Sequence, residues 1–152
     1  MKKLLGVIVL GLLWCSTSYA NIIMQDLINA LVETKKPKSI EVANNLKSTG
    51  DNDKSYDLVI RKANLNIEDA KNIATAIKKI DQNKGPQLGT ISMSFNEDLK
   101  DEGVITLLNH IPLTTSVIAF VECGITDKAG QAIIDWAAKT NNLNGIYIEG
   151  ND

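Results

Sequence analysis

Hydrophobic residues return in a regular pattern over the second two thirds of the chain. Two apolar residues separated by one position are followed by a short polar stretch and then by a run with helical spacing. The apolar pairs are Leu58/Ile60, Ile91/Met93, Ile118/Phe120 and Ile146/Ile148. Successive pairs lie 33, 27 and 28 residues apart, within the range of repeat architectures. The pattern predicts a strand followed by a helix in each unit, and therefore an α/β fold with a parallel sheet of about four strands.

Three of these strands are followed by an apolar stripe at helical spacing. The stripes are Ile73, Ile77 and Ile80, then Leu107, Leu108 and Ile111, then Ile133, Ile134 and Ala137. Such spacing puts the side chains on one face of a helix, so each stripe predicts a helix packed on the sheet. Residues suited to N-caps precede the stripes at Asn66, Asp98 and Thr126. Small residues, which we expect to let each helix lie close to its strand, are Ala70, Gly103 and Gly130.

The units also match a known sequence template. Residues 143–151 fit L-x-x-L-x-L-x-x-N/C-x-L as far as the chain runs, and residues 118–125 fit it from the fourth position onward. Residues 55–152 therefore resemble leucine-rich repeats of the long, ribonuclease-inhibitor-like class. The resemblance implies a short solenoid with the helices on its convex side.

The resemblance also implies a role for the ninth residue of each unit. In that family an asparagine or cysteine at this position hydrogen-bonds the backbone where the chain leaves the strand, and Asn96, Cys123 and Asn151 match it. Ala63 cannot make such a bond, so the first unit is degenerate. In the second unit Leu99 stands one place later than the template asks.

Every second side chain of the strands is expected to face away from the helices. Those positions are Asp57, Val59, Arg61, Thr90, Ser92, Ser94, Val117, Ala119, Val121, Gly145, Tyr147 and Glu149. Solenoids bind partners on this face, which is here partly apolar, with Phe95 close to its rim. The residues predicted to bind a protein partner are Val59, Arg61, Val121, Tyr147 and Glu149. The alternative interpretation is that the N-terminal helices, or a second copy of the chain, cover this face of the sheet.

The first twenty residues have the pattern of a secretory signal peptide. Two lysines precede an apolar run over residues 4–14, and small residues precede an expected cleavage after Ala20. The run is shorter than the roughly twenty residues that span a bilayer. A lipoprotein cleaved before Cys15 is an alternative, which the bulky Trp14 disfavours. We therefore expect export to the periplasm or the exterior, with no stable membrane span after cleavage.

Residues 21–54 predict an N-terminal helical cap and a loop, with Pro37 ending or kinking the first helix and Ser39 capping the second. Without residues 1–20 the chain has 132 residues, a net charge of −4 instead of −2, and one cysteine. A single cysteine excludes an internal disulfide. The mildly acidic charge gives no reason to expect nucleic acid, which calls for a basic face.

Few residues offer catalytic or metal-binding chemistry. His110, the only histidine, is expected at a helix end with no nucleophile or orienting carboxylate suggested by its spacing. Cys123 is expected to be a buried repeat residue. Two aspartate pairs lack the glycine and terminal glutamate of a calcium loop: Asp51/Asp53 and Asp98/Asp101. The sequence predicts a non-enzymatic protein–protein interaction module without cofactor or metal.

Two other classes remain open. A single-domain fold similar to the STAS family also alternates strands and helices, and its phosphorylatable loop residue would correspond to Thr126. The predicted export and the fourfold recurrence argue against it. The other class is a self-associating structural module, because the chain stops at Asp152, directly after the last strand, without a closing helix.

Overall fold

The computed structural model describes residues 22–50 and 52–152; the predicted signal peptide lies outside these residues. The strands are β1 (Ser55–Val59), β2 (Gln87–Ser92), β3 (Val117–Ala119) and β4 (Gly145–Tyr147). The helices are α1 (Ile22–Glu33), α2 (Pro37–Leu46), α3 (Ile67–Gln82), α4 (Lys100–Leu108) and α5 (Asp127–Ala137), and a 3-10 turn at Glu97–Leu99 precedes α4. None of the helices in the described part of the chain is long and apolar enough to cross a bilayer.

The strands form one parallel sheet whose spatial order, β1-β2-β3-β4, follows the sequence. The predicted apolar pairs set the register, because Leu58 lies beside Ile91, and Ile118 lies beside both Ile91 and Ile146. An α/β fold with a parallel sheet of about four strands is therefore confirmed. Since the strand order never reverses, right-handed crossovers place α3, α4 and α5 on the same face of the sheet.

The core lies between this face and the helices. Helix α3 packs between α1 and α4, α4 packs against α5, and α2 contacts α1 and β1. The apolar pairs of the first three strands are fully buried: Leu58, Ile60, Ile91, Met93, Ile118 and Phe120. In β4, by contrast, Ile146 is 37% exposed, and Ile148 just beyond it is 39% exposed. The helix side of the last strand is therefore incompletely covered.

The helix starts agree with the sequence at two of three predicted caps. The Asn66 side chain accepts from the backbone N–H of Asp69, whose carboxylate accepts from that of Asn66, which completes a capping box for α3. Thr126 caps α5. The prediction for Asp98 is wrong, because Asp98 lies in the 3-10 turn and α4 begins only at Lys100. The 3-10 turn buries Leu99, the residue that stands one place later than the repeat template asks.

Four other local predictions are wrong. Ile134, expected in the core-facing stripe of α5, is 61% exposed because it projects from the side of the helix away from the core. A Cβ on Gly130 would meet no atom within 4 Å, so close packing does not require glycine there. Pro37 begins α2, since it lacks the N–H that a first-turn residue would leave unpaired. Ser39 is buried inside α2 and does not cap it.

Candidate functional site

The face of the sheet opposite the helices carries the predicted binding side chains, and their exposure is uneven. Val59 on β1 is 44% exposed and Tyr147 on β4 is 49% exposed. Between them, Val117 and Val121 are half-buried and Ala119 is buried. Three strand spacings, about 14 Å, separate β1 from β4. We call this surface the open face; it has two exposed ends joined by a shallow floor that is polar along β2, where Ser92 and Ser94 are buried, and apolar along β3.

The Tyr147 ring packs closely on the open face over Gly145, where no side chain separates the ring from the strand. A Cβ on Gly145 would lie 3.0 Å from Cε2 of the tyrosine ring and 3.4 Å from its hydroxyl oxygen. The ring therefore lies over the glycine of its own strand. Gly145 was predicted to lie on the sheet face away from the helices, but its contact with the Tyr147 ring was not predicted.

A basic and aromatic cluster forms the β1 end of the open face. The Arg61 guanidinium lies 5.0 Å, and the Lys62 ammonium 4.8 Å, from the centroid of the Phe95 ring, within the range of cation–π attraction. Phe95 is half-buried, and its backbone N–H donates to the Val121 carbonyl at 2.7 Å. Arg61 and Phe95 were predicted on or near this face, whereas Lys62, which follows the strand in a left-handed turn conformation (φ +53°), was not.

The turns after the strands are joined by asparagine side chains. Oδ1 of Asn96, which is 1% exposed, accepts from the N–H groups of Ala63 and Leu65, both at 3.0 Å. Its Nδ2 donates to the carbonyls of Ile60 at 2.9 Å and Met93 at 2.7 Å. One side chain therefore satisfies four backbone groups on two neighbouring units.

Asn151 repeats this arrangement two strands further along the sheet. Its Oδ1 accepts from the N–H groups of Cys123 (2.8 Å) and Ile125 (3.3 Å). Its Nδ2 donates to the carbonyls of Phe120 (2.8 Å) and Ile148 (2.7 Å). Asn96, Cys123 and Asn151 each follow a strand, and two of them, Asn96 and Asn151, make the same four kinds of bond.

Cys123 makes a different and weaker contact. Its thiol is buried and donates to the Met93 carbonyl at 3.2 Å. Burial raises the pKa of this thiol to about 11, so the nucleophilic thiolate is disfavoured at neutral pH. Cys123 is therefore buried in a turn, as predicted.

A groove of about 540 Å³ opens beside the turns that follow β2, β3 and β4. Its charged lining residues are Glu97, Asp98, Lys100, Glu122 and Asp152. Gly124 in this groove has φ +66°, and a Cβ there would lie 2.6 Å from the Glu97 carbonyl oxygen, so no larger residue fits. No group of His, Cys, Asp or Glu side chains within residues 22–50 and 52–152 is arranged to hold a metal ion. Acidic side chains therefore lie next to the β4 end of the open face.

The remaining candidates have structural partners. Nδ1 of His110 donates to the Thr106 carbonyl at 2.8 Å just beyond the end of α4. The Thr126 hydroxyl, the STAS-like candidate, donates to the Asp101 carboxylate at 2.8 Å. Several hydrogen bonds lower the pKa of Asp101, and the largest contribution comes from the bond donated by the Thr126 backbone N–H. A phosphate on Thr126 would replace that bond with repulsion from Asp101.

The structure thus separates the five predicted binding residues into two groups. Val59 and Arg61 lie at the β1 end, whereas Val121, Tyr147 and Glu149 lie on or just beyond β3 and β4. The sequence matches no protein-family model and no curated protein.

Proposed function

We propose that this protein is an exported, non-enzymatic module that binds another protein through the open face of a short leucine-rich-repeat-like solenoid. The observation that carries the proposal is the exposure of Val59 and Tyr147 on a sheet face. A solvated sheet face ordinarily carries polar side chains, and an exposed tyrosine packed on the sheet is a common anchor of protein interfaces.

The turn asparagines support the leucine-rich-repeat part of the proposal. Asn96 and Asn151 hydrogen-bond the backbone where the chain leaves the strand, which is the role that the resemblance implies. The helices α1 and α2 would then cap the first unit. Export rests on the charge and hydropathy pattern of residues 1–20.

The charges around the open face define the kind of partner. Arg61 and Lys62 lie at the β1 end, and Glu122 and Glu149 lie at the β4 end. A partner segment that crosses the strands with an acidic residue over the β1 end, a polar residue over the serines of β2, an apolar residue over β3 and a basic residue over the β4 end would complement this surface. The strands alone offer only a modest area, so we expect a transient complex.

The test is affinity capture from the exported fraction of the producing cell, with bait expressed from the complete sequence. Tyr147→Ala should abolish partner capture while circular dichroism stays unchanged, because Tyr147 is half exposed on the surface. Val59→Asp should have the same effect from the opposite end of the face. Val32→Ala removes an equally exposed apolar side chain on α1 and should capture the partner normally.

Two results would refute the open-face assignment. One is an unchanged set of captured proteins with both Tyr147→Ala and Val59→Asp. The other is equal loss with Val32→Ala, which would indicate general hydrophobic adhesion.

A further inference from the structure

The β1 end of the open face carries two cationic side chains without a paired anion. The Arg61 guanidinium and the Lys62 ammonium lie 5.0 Å and 4.8 Å from the centroid of the Phe95 ring, so the two charges are no farther apart than the sum of these distances. Neither side chain forms an ion pair or a hydrogen bond with another residue of the described part of the chain. Attraction to the ring therefore holds two like charges close together, and their N–H donors are available to a ligand.

A buried serine pair beside this cluster leaves one further donor. The N–H of Val121 donates to Oγ of Ser94 at 3.3 Å, and the hydroxyls of Ser92 and Ser94 share one bond of 3.3 Å. That bond uses one of the two hydroxyl hydrogens, so the other has no acceptor within residues 22–50 and 52–152. When Ser94 donates to Ser92, the free hydrogen belongs to Ser92, which is 8% exposed, whereas Ser94 is 2% exposed. A chain of bonds from Val121 thus ends in an unpaired donor at the more accessible serine.

The strand register brings these donors to one place. Val59 lies beside Ser92 in the parallel ladder. The backbone N–H of Lys62 donates to the Ser94 carbonyl at 3.1 Å, which continues the register and sets Arg61 beside Ser94. Guanidinium, ammonium and hydroxyl groups therefore meet at the same end of the open face. A ligand that pairs with all of them has to supply negative charge and oxygen acceptors.

Helix α2 borders the open face beyond β1. A groove of about 210 Å³ separates α2 from β1, and its lining includes Val42 and Val59 together with Lys38, Glu41 and Arg61. Since Val59 faces away from the helix layer, its place in this groove shows that α2 reaches the outer edge of β1. Glu41 is paired with Lys38 at 3.4 Å, which leaves the charge of Arg61 uncompensated. A chain that crosses the strands toward β1 meets α2 there.

We propose that the β1 end of the open face binds the C-terminal carboxylate of a peptide chain, with the last side chain in the groove between β1 and α2. Arg61 and Lys62 would bind the carboxylate, and the free hydrogen of Ser92 would bond the carbonyl of the last peptide unit. A chain terminus fits better than an acidic side chain within a chain, because α2 stands in the path of a chain that continues beyond β1. The inference rests on the proposed function, whose acidic contact it specifies.

N-acetylvaline is a small probe with all three features: the carboxylate, the preceding carbonyl and an apolar side chain. Its titration into isotope-labelled protein expressed from the complete sequence should shift the backbone amide NMR signals of Arg61, Lys62 and Ser92. The shifts should saturate with a dissociation constant of about 1–10 mM. N-acetylvalinamide lacks the charge, and the α-amide of N-acetylglutamate carries its carboxylate on a side chain. Both should bind at least about tenfold more weakly.

Two variants that remove charge test the residues of the site. Arg61→Gln and Lys62→Gln should each weaken N-acetylvaline binding about threefold to tenfold at low salt, because each removes one of the two charges. Lys54→Gln is the matched control, since Lys54 is exposed just before the opposite end of β1. It should leave the dissociation constant unchanged.

Three results would overturn the proposal. They are the absence of saturating shifts with N-acetylvaline, equally tight binding of either comparison probe, and equal effects of Lys54→Gln and Arg61→Gln. The same shifts with sodium chloride at equal ionic strength would indicate general attraction of anions, and would overturn it as well.

The carboxylate site and the proposed function can fail separately, because the probe is not the captured protein. Partner capture that depends on Tyr147, without N-acetylvaline binding, would overturn the carboxylate site and keep the proposed function. N-acetylvaline binding that is lost in Arg61→Gln, without partner capture, would support the carboxylate site and count against the proposed function.

Discussion

Replacing Asn96 by alanine removes the side chain that joins the first two turns of the sheet. In the wild type, the amide of Asn96 satisfies the N–H groups of Ala63 and Leu65 and the carbonyls of Ile60 and Met93. Because Asn96 is buried, water has little access to these four groups after the substitution. The fold must then either leave them unpaired or open locally.

The size of the effect follows from that burial. A buried polar group left without a partner costs roughly 1–3 kcal/mol, and partial relaxation around four such groups leads us to expect a loss of about 3–5 kcal/mol for Asn96→Ala. Asn151→Ala is the matched control, since it removes the same four bonds at a half-exposed position where water can replace them. We expect a loss of only about 1 kcal/mol there.

Urea denaturation followed by circular dichroism measures both losses. The slope of the free energy of unfolding against urea should stay constant, so that the midpoints report stability. A loss under about 1 kcal/mol for Asn96→Ala, or a loss no larger than that of Asn151→Ala, would refute the reasoning, because burial would then not determine the strength of the turn.

The same assay checks two further predictions. Gly130→Ala should stabilise the protein by roughly 0.5–1 kcal/mol, because alanine favours the helix and its Cβ meets open space. Gly103→Ala should stabilise the protein less or destabilise it, since its Cβ would lie 3.3 Å from Leu99. Equal gains in stability would contradict the packing at α4. Burial raises the pKa of Cys123 from 9.0 to about 11, so the folded state holds this proton more tightly, and its contribution to stability should be intact below pH 9 and lost as pH rises toward 11. Cys123→Ala should flatten that decline, and an unchanged pH profile would contradict the burial of the thiol.

The repeated apolar pairs predicted the sheet because buried strand positions return once in every strand–helix unit. Leu58, Ile91 and Ile118 each face the same helix layer, so the number of residues between them is the length of one strand–helix unit. The same pattern could not tell that Ile134 and Ile146 are exposed. Periodicity assigns a residue to a face, whereas exposure depends on whether another element covers that face.

The candidate site was predictable where it follows the strand alternation and not where it depends on turns. Val59 and Tyr147 follow directly from the period of two. The approach of Lys62 to Phe95 depends on left-handed turn residues at both positions, for which neither residue type carries a signal. The acidic groove likewise combines side chains from separate turns that only the sheet brings together.

The bonds of the turn asparagines make each unit depend on the unit that follows it. The amide hydrogens of Ala63 and Leu65 are protected by Asn96, so opening of the β2 unit alone should be enough to let them exchange with solvent. Cys123, whose thiol is a weak donor, replaces asparagine between the β2 and β3 turns. Cooperativity along the sheet should therefore be lowest at this step, and partial unfolding should divide the molecule there, between an amino-terminal half and a carboxyl-terminal half.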